Sequence, residues 1–212
     1  MSGIMQAVLG GSFAALPAIG DAYGGGFFAG QINVSGTKYN LVVSPKASGE
    51  NSSRSWGGYG TSTGLTSVID GPTNSAALAA LGAGYQAATF CEGLTIGGYS
   101  DWYLPAKNEL EVLYYFLKPT TNANNTSSGS NANAVLPEPL NTNYSYLGLP
   151  AQTTAGIGFR TGETNAFVSN AYWTSTESTG DKSWVQWFDD GRQSTQNKYD
   201  NYYVRAVRRV AA

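Results

Sequence analysis

The clearest hydrophobic pattern in the chain is helical and lies between two prolines, Pro105 and Pro119. Four apolar residues recur there at the spacing of one helix face, namely Leu110, Leu113, Tyr114 and Leu117. Most polar residues of this stretch fall on other faces, namely Lys107, Asn108, Glu109, Glu111 and Lys118. We predict an amphipathic helix that has Pro105 at its first position and ends before Pro119.

Two apolar runs near the start of the chain predict a pair of strands. Residues 23–28 lead into the first strand, and residues 39–43 form the second. Ser35, Gly36 and Thr37 are turn-forming residues between them. A second helical region is predicted over residues 73–93, where alanine and leucine are frequent but two glycines weaken the middle.

The last third of the chain has the period-two pattern of strands. Residues 171–176 are rich in β-forming types, and residues 183–188 alternate between two faces. One face carries Trp184, Gln186 and Phe188, and the other carries Val185 and Trp187. The Asp-Asp-Gly sequence at 189–191 predicts a hairpin turn, and residues 202–210 close the sheet.

The polar stretch at 120–134 contains only Thr, Asn, Ala, Ser and Gly. It has too little apolar surface to form a core, so we expect an exposed loop or a segment ordered by a partner. Residues 135–167 carry several prolines and aromatic residues, and we interpret them as an extended excursion within one domain.

Composition and charge narrow the possible functions. The chain has 212 residues, of which 12% are charged, and its net charge is −2. This charge is too small and of the wrong sign for a nucleic-acid-binding protein. The one basic cluster is formed by Arg205, Arg208 and Arg209. These arginines belong either to an edge strand that pairs with nearby carboxylates or to a phosphate site.

The chain contains one cysteine, Cys91, and no histidine. An intramolecular disulfide is therefore impossible, and Cys91 is expected to be a small buried residue. Without histidine, neither Ser-His-Asp nor Cys-His catalysis is available, and the usual zinc sites are excluded. We predict no metal and no cofactor.

The first 18 residues are small and apolar, and no Lys or Arg precedes Lys38. This argues against a secretory signal, and the run is too short and too interrupted by glycine for a membrane span. We expect residues 1–18 to dock on a neighbouring subunit, in a homo-oligomer or in a larger assembly. The apolar residues assigned to that contact are Ile4, Val8, Leu9, Phe13 and Leu16.

Several motifs together resemble one known family. They are IGDAYGGGFF at 19–28, GGYSDWYLPAKNEL at 97–110, YWTSTES at 172–178 and YYVRAVRRV at 202–210. The chain is similar to the C-terminal domain of the Legionella collagen-like adhesin, a family met in bacterial surface proteins and phage proteins. The resemblance implies a C-type-lectin-like α+β fold over residues 19–212, with two helices on a twisted, mostly antiparallel sheet.

Two departures from related folds bear on function. The calcium-binding triplets of C-type lectins are absent, and so are their disulfides. A single cysteine also excludes the cysteine pair of the formylglycine-generating enzymes. The polar region near 120–165 is longer than the family pattern and is interpreted as an insertion.

Our first hypothesis is a non-enzymatic phage virion protein, such as a decoration, fibre or receptor-binding component. Its partners would be other virion subunits or further copies of itself, and a host surface glycan or protein. The expected contact residue is Trp187, because one face of its alternating strand should point away from the core. The hydrogen-bonding neighbours expected around it are Asp189, Asp190, Arg192, Gln193, Asn197 and Tyr199. The alternative is that a loop of the chain covers Trp187.

Two other functions are compatible with parts of the sequence. A bacterial surface adhesin domain could bind acidic polysaccharide through the arginine cluster. A glycosidase would need paired carboxylates. The candidate acids, none of which forms an evident pair, are Asp101, Glu109, Glu163, Glu177, Asp181, Asp189 and Asp190. We therefore expect no enzymatic activity.

Overall fold

The computed structural model describes residues 15–125, 127–136 and 158–212. Within these ranges the chain has an α+β fold, as the sequence predicted. The strands are β1 (Ala22–Tyr23), β2 (Gly26–Val34), β3 (Thr37–Val43), β4 (Glu50–Ser55), β5 (Ala134–Leu136), β6 (Ala171–Glu177), β7 (Lys182–Trp187), β8 (Gln193–Asn197), β9 (Asn201–Arg205) and β10 (Val207–Ala211). The helices are α1 (Lys46–Gly49), α2 (Gly71–Ala80), α3 (Gln86–Glu92) and α4 (Lys107–Leu117).

The strands form two five-stranded sheets, whereas the sequence indicated one. The first has the order β1-β2-β3-β10, and β5 also pairs with β2. The second has the order β4-β9-β6-β7-β8. All described pairings are antiparallel except that of β6 with β9, where Tyr172 lies opposite Tyr203.

The C-terminal stretch connects the two sheets. We predicted one strand over 202–210, but it divides at Ala206 into β9 of the second sheet and β10 of the first. Ala206 donates its N–H to the Gly49 carbonyl at 2.9 Å and accepts the Ser44 N–H at 3.0 Å. These bonds to the β3–β4 connection replace the ladder bonds that a continuous strand would have made.

Both predicted hairpin turns are confirmed. Ser35 and Gly36 have φ values of 51° and 91°, the left-handed conformations required by a tight turn between β2 and β3. Gly191 has a φ of 79° in the turn between β7 and β8. Its place in the turn allows no side chain, because an added Cβ would lie 2.5 Å from the Tyr114 ring.

The helical region predicted over residues 73–93 is interrupted in its middle. It is two helices, α2 and α3, and Gly82 between them has a φ of 110°. This left-handed conformation ends a helix at little cost for glycine. Cys91 on α3 is fully buried, as expected.

Helix α4 confirms the predicted apolar face but not the predicted start. Leu110, Leu113 and Leu117 are at most 1% exposed. The helix begins at Lys107, after Ala106, whose N–H is accepted by Glu109 Oε2 at 2.8 Å. Pro105 lies before the helix because its carbonyl accepts the Ser175 N–H of β6.

The stretch at 120–134, predicted as an exposed loop or a segment ordered by a partner, is exposed at residues 121–123, 127, 130 and 132, but other residues of it pack on polar residues of α4. Glu109, Glu111 and Lys118 are at most 1% exposed. Asn131 donates hydrogen bonds to the Asn108 carbonyl and to the Glu111 carboxylate. Side-chain amides and main-chain carbonyls thus attach the described part of this stretch to α4 without an apolar core.

Two clusters of buried side chains form the core. The first surrounds α4 and includes Tyr172 and Phe188, and the second contains Trp56, Trp102 and Trp173. No helix in the described ranges is long and apolar enough to cross a membrane. Most of the predicted N-terminal segment and residues 137–157 of the predicted insertion and excursion lie outside the described residues.

Candidate functional site

The structure separates the predicted contact residues into three places. Trp187 packs against the second core cluster. The turn at 189–192 lies over Tyr114 and the segment after α4. Gln193 lines a pocket, and the exposed ring of Tyr199 lies beyond the far end of β8. The predicted residues therefore do not form one continuous site, although the Arg192 side chain reaches the Trp187 ring as predicted.

Trp187 is partly buried, which corrects the expectation that one face of β7 points away from the core. Both faces of the strand contact the core. Val185, on the same face as Trp187, and Phe188, which continues the opposite face just past the end of β7, are at most 1% exposed. The indole N–H of Trp187 donates to Ser194 Oγ at 3.0 Å, and the Arg192 guanidinium lies 4.8 Å from its ring centre. The chain itself therefore uses much of the Trp187 surface that a ligand would contact.

The Asp189–Asp190 turn has a structural role. The Asp189 carbonyl accepts the Thr120 hydroxyl at 2.9 Å, and the Asp190 carbonyl accepts the Asn125 N–H at 2.7 Å. Asp190 Oδ1 accepts the Arg192 N–H at 2.9 Å. These bonds attach the segment after α4 to the β7–β8 hairpin and place its serine residues beside β8.

A pocket of about 200 Å³ lies where α4, this segment and the β7–β8 hairpin meet. We name it the serine pocket. It is lined by Lys107, Ser127, Ser128, Gly129, Ser130, Trp184 and Gln193. Alternation along β7 correctly placed Trp184 and Trp187 on opposite faces, but the tryptophan in the pocket is Trp184.

The walls of the serine pocket are held by backbone and side-chain bonds. Lys107 donates its N–H to Thr176 Oγ1 at 3.0 Å, which fixes the start of α4 on β6. The Gln193 N–H donates to Ser128 Oγ at 3.0 Å, which connects β8 to residues 127–131, here named the serine segment. The Ser127 N–H and hydroxyl both donate to Asn125 Oδ1. The pocket is therefore built by three separate parts of the chain.

One ionisable group of α4, Lys107, lines the pocket, and a second, Glu111, is buried outside its lining. The Lys107 ammonium is 4.1 Å from the centre of the Trp184 ring, a cation–π contact, and burial lowers the pKa of Lys107 against the opposing effect of Glu111. Glu111 lies one helical turn further on, behind Asn131. Burial raises the pKa of Glu111 to about 8, despite the hydrogen bond from Asn131 and the charge of Lys107.

Gln193, which lines the pocket, has a buried Nε2 without a hydrogen-bond partner among the described residues, and the same is true of Glu111 Oε1. An unpaired buried amide N–H carries a desolvation cost that a ligand oxygen would remove. The pocket thus offers an aromatic ring, hydroxyl groups, an amide donor and one ammonium group. This set can bind a neutral or weakly acidic molecule that is rich in hydroxyl groups.

The arginine cluster is not an open basic patch, which contradicts the acidic-polysaccharide site suggested there. Arg205 is fully buried and lies 2.9 Å from Glu50. Arg208 pairs with Asp101 at 2.7 Å, and Arg209 pairs with Asp70 at 2.9 Å. Each guanidinium therefore has a carboxylate of the chain, as the pairing interpretation predicted.

The acids proposed for a glycosidase are dispersed, and the most buried ones have structural partners. Glu109 accepts the Tyr103 hydroxyl and the Ala106 N–H. Glu177 pairs with Lys198 at 2.6 Å. No group of three or more Asp, Glu, His or Cys residues in the described ranges is arranged to hold a metal ion.

Sequence reasoning missed Trp184, Lys107 and the serines as parts of one pocket. Their separation along the chain gave no local motif, and the polar stretch at 120–134 was not expected to pack on the domain. One signal for the pocket was present in the sequence: Gln193 and Trp184 belong to the same predicted hairpin and were therefore expected to lie close together.

Comparison with known families gives one match. The family model described as the Lcl C-terminal domain matches residues 49–208, which is more than half of the chain. This is the family whose motifs the sequence resembled. The matched range includes every residue of the serine pocket and excludes β1, β2 and β3. A comparison with curated proteins gives no match.

Proposed function

The chain belongs to the Lcl C-terminal domain family, and we propose that it is a non-enzymatic recognition domain that binds a carbohydrate in the serine pocket. The observation that carries this proposal is the convergence of the Trp184 indole, the Lys107 ammonium and a row of serines around one cavity. Sugars present both C–H faces that pack on aromatic rings and hydroxyl groups that need hydrogen-bond partners.

The C-type-lectin-like fold is part of this proposal. A long polar segment that crosses one end of a hairpin and forms a pocket with it suits a recognition domain, because binding residues are often carried on loops held by a rigid scaffold. The backbone and side-chain bonds between the serine segment, α4 and β8 support a pocket that is formed before the ligand arrives.

A binding role is favoured over catalysis by what the buried carboxylates do. Glu50, Glu109 and Glu177 each accept charge-assisted or hydroxyl hydrogen bonds that hold elements together. A glycosidase needs two carboxyl groups that face one substrate bond at a fixed separation. The described residues that line the pocket include no carboxylate, so their chemistry suits binding better than hydrolysis.

We further propose that the domain is displayed on a phage virion, with a bacterial cell surface as the alternative setting. On a virion, its partners would be other virion subunits, further copies of itself and a host surface glycan or protein. Leu16, the one assigned assembly residue that the structure describes, is 49% exposed, and this supports a docking role for the N-terminal segment. Residues Ile4, Val8, Leu9 and Phe13 lie outside the described residues.

The test of carbohydrate binding uses the full chain on an array of purified bacterial polysaccharides. We expect the parent protein to bind at least one polysaccharide and Trp184→Ala to lose about tenfold or more in affinity. Trp187→Ala is the matched control, because it removes a tryptophan from the opposite face of the same strand. Thermal unfolding of each variant checks that the domain still folds.

A second variant keeps the proposal testable in case Trp184→Ala does not fold. Gln193→Ala removes the unpartnered amide with little effect on the core, and we expect it to weaken binding as well. Absence of binding to every polysaccharide would contradict the proposal. So would equal binding by all variants, and loss in Trp187→Ala alone would favour the site predicted from the sequence.

A further inference from the structure

Two exposed tyrosines form a pair away from the serine pocket. Tyr59 is 54% exposed and Tyr199 is 57% exposed, the two largest values for tyrosine in the described ranges. Their ring centres are 4.8 Å apart and the ring planes meet at 61°. Two aromatic rings that stay together in water expose an apolar surface with a defined shape.

The two tyrosines come from distant parts of the chain that a buried ion pair joins. Lys198, which precedes Tyr199, is fully buried and lies 2.6 Å from Glu177. Its ammonium also donates to the Thr61 carbonyl at 2.8 Å. The Gly57 N–H donates to the Lys198 carbonyl at 2.9 Å, so the segment on either side of Tyr59 is bonded to the residue before Tyr199.

Glu177 fixes the other end of the same loop. Its carboxylate accepts the N–H groups of Thr63 and Gly64 at 2.8 Å each and the Ser62 hydroxyl at 2.9 Å. Gly58 and Gly60, on the two sides of Tyr59, have φ values of 66° and 80°. These left-handed conformations turn the backbone sharply and bring the Tyr59 ring to the loop tip.

We infer that Tyr59 and Tyr199 form a second carbohydrate contact on this domain, for a neutral sugar residue. The surface that a sugar would reach includes exposed Thr61, Ser62 and Asn201, which supply hydroxyl and amide groups. These three neighbours are uncharged, which suits a neutral sugar. Because the pair is held in advance, binding would not have to order the two loops.

The size of the surface argues against a protein partner at this place. A stable protein interface buries about 800 Å² on each partner, several times the surface of two half-exposed tyrosines. One or two sugar rings match the available surface better than a folded partner does.

This inference uses carbohydrate recognition as proposed above but places it at different residues, so the two can fail separately. The experiment is native affinity electrophoresis of the full chain in gels that contain a neutral polysaccharide: mannan, dextran or galactomannan. The same gels are run with alginate as the acidic counterpart. We compare Tyr59→Ala, Tyr199→Ala, Tyr59→Phe and Trp184→Ala, with Tyr99→Ala as the control for removal of an exposed tyrosine elsewhere.

We expect at least one neutral polysaccharide to retard the parent protein. Tyr59→Ala and Tyr199→Ala should each weaken that retardation about tenfold in apparent dissociation constant, whereas Tyr59→Phe and Tyr99→Ala should resemble the parent. Loss in the alanine variants of the pair, with retardation kept in Trp184→Ala, would support the inference and leave the serine pocket in question.

Three results would overturn the inference. One is that none of the neutral polysaccharides retards the parent protein. Another is equal retardation of the parent and both alanine variants of the tyrosine pair. The third is loss only in Trp184→Ala, which would support the serine pocket and exclude the tyrosine pair. Unfolding temperatures equal to that of the parent establish that the exposed substitutions leave the fold intact.

Discussion

The Lys198 ammonium lies 2.6 Å from the Glu177 carboxylate, and the two side chains are only 0% and 1% exposed. The Trp56 ring lies 4.6 Å from the same ammonium. Burial by itself raises the pKa of Glu177, but the hydrogen bonds from Lys198 and from the N–H groups of Thr63 and Gly64 hold it below its ordinary value. The pair therefore connects β6, the loop at 57–64 and the end of β8 through charged groups.

Glu177→Gln should strongly destabilise the protein, because it leaves the Lys198 charge buried without a carboxylate. Breaking a buried ion pair on one side typically costs about 3–5 kcal/mol. Urea unfolding at neutral pH measures the change, and Asp181→Asn on the exposed turn nearby is the matched control. A loss below about 1 kcal/mol would show that the pair contributes little to the fold.

Glu111→Gln should change the pH dependence of stability. Burial raises the pKa of Glu111 from 4.5 to about 8, against the weaker opposing effects of Asn131 and Lys107. The folded protein keeps this proton while the unfolded chain releases it, so stability falls as pH rises from about 4.5 to about 8. The variant removes that fall and should be more stable than the parent at about pH 8, by at least about 1 kcal/mol.

The measurement for Glu111 is urea unfolding at several pH values on both sides of neutrality. The difference between Glu111→Gln and the parent should grow with pH and become constant above about pH 8. Asp181→Asn again serves as the control, since Asp181 is exposed. A constant difference at all pH values would show that Glu111 is already ionised in the folded protein.

Local patterns predicted the elements better than their assembly. The apolar face of α4 and the turns at Gly36 and Gly191 followed from residue types within a few positions. The division of the last strand at Ala206 did not, because its cause is the pairing of Ala206 with Ser44 and Gly49, far away in the chain.

The candidate site, too, depends on contacts between distant parts of the chain that local sequence patterns do not predict. Strand alternation separated Trp184 from Trp187, but the choice between them depended on which segments cover each face. The serine segment covers the Trp184 side because of amide hydrogen bonds to α4 and β8. Such bonds have no hydrophobic periodicity, so the sequence indicated an exposed loop instead.

Gly191→Ala should destabilise the β7–β8 hairpin by about 2 kcal/mol or more, because it combines backbone strain with a collision. Gly191 has a φ of 79°, and an added Cβ would lie 2.5 Å from the Tyr114 ring. Gly36→Ala is the matched control, since its φ of 91° brings the same strain but its Cβ would meet nothing within 4 Å. Thermal unfolding of both variants measures how much more stability Gly191→Ala loses than Gly36→Ala. Equal losses would mean that the Tyr114 ring moves aside at no cost.

Deletion of residues 1–18 should convert an oligomer into a monomer without unfolding the domain. The described part of this segment is attached weakly: Leu16 is 49% exposed, and the Ala18 N–H donates to Asp21 Oδ2 at 3.0 Å. In the described part of the chain the strands start at Ala22, so the deletion removes none of them. Native mass measurement of the full and shortened chains is the test, and unfolding temperature is the control for folding. A smaller assembly after deletion would support docking through Ile4, Val8, Leu9, Phe13 and Leu16. An unchanged number of subunits would contradict it, because the deleted segment would then have no role in assembly.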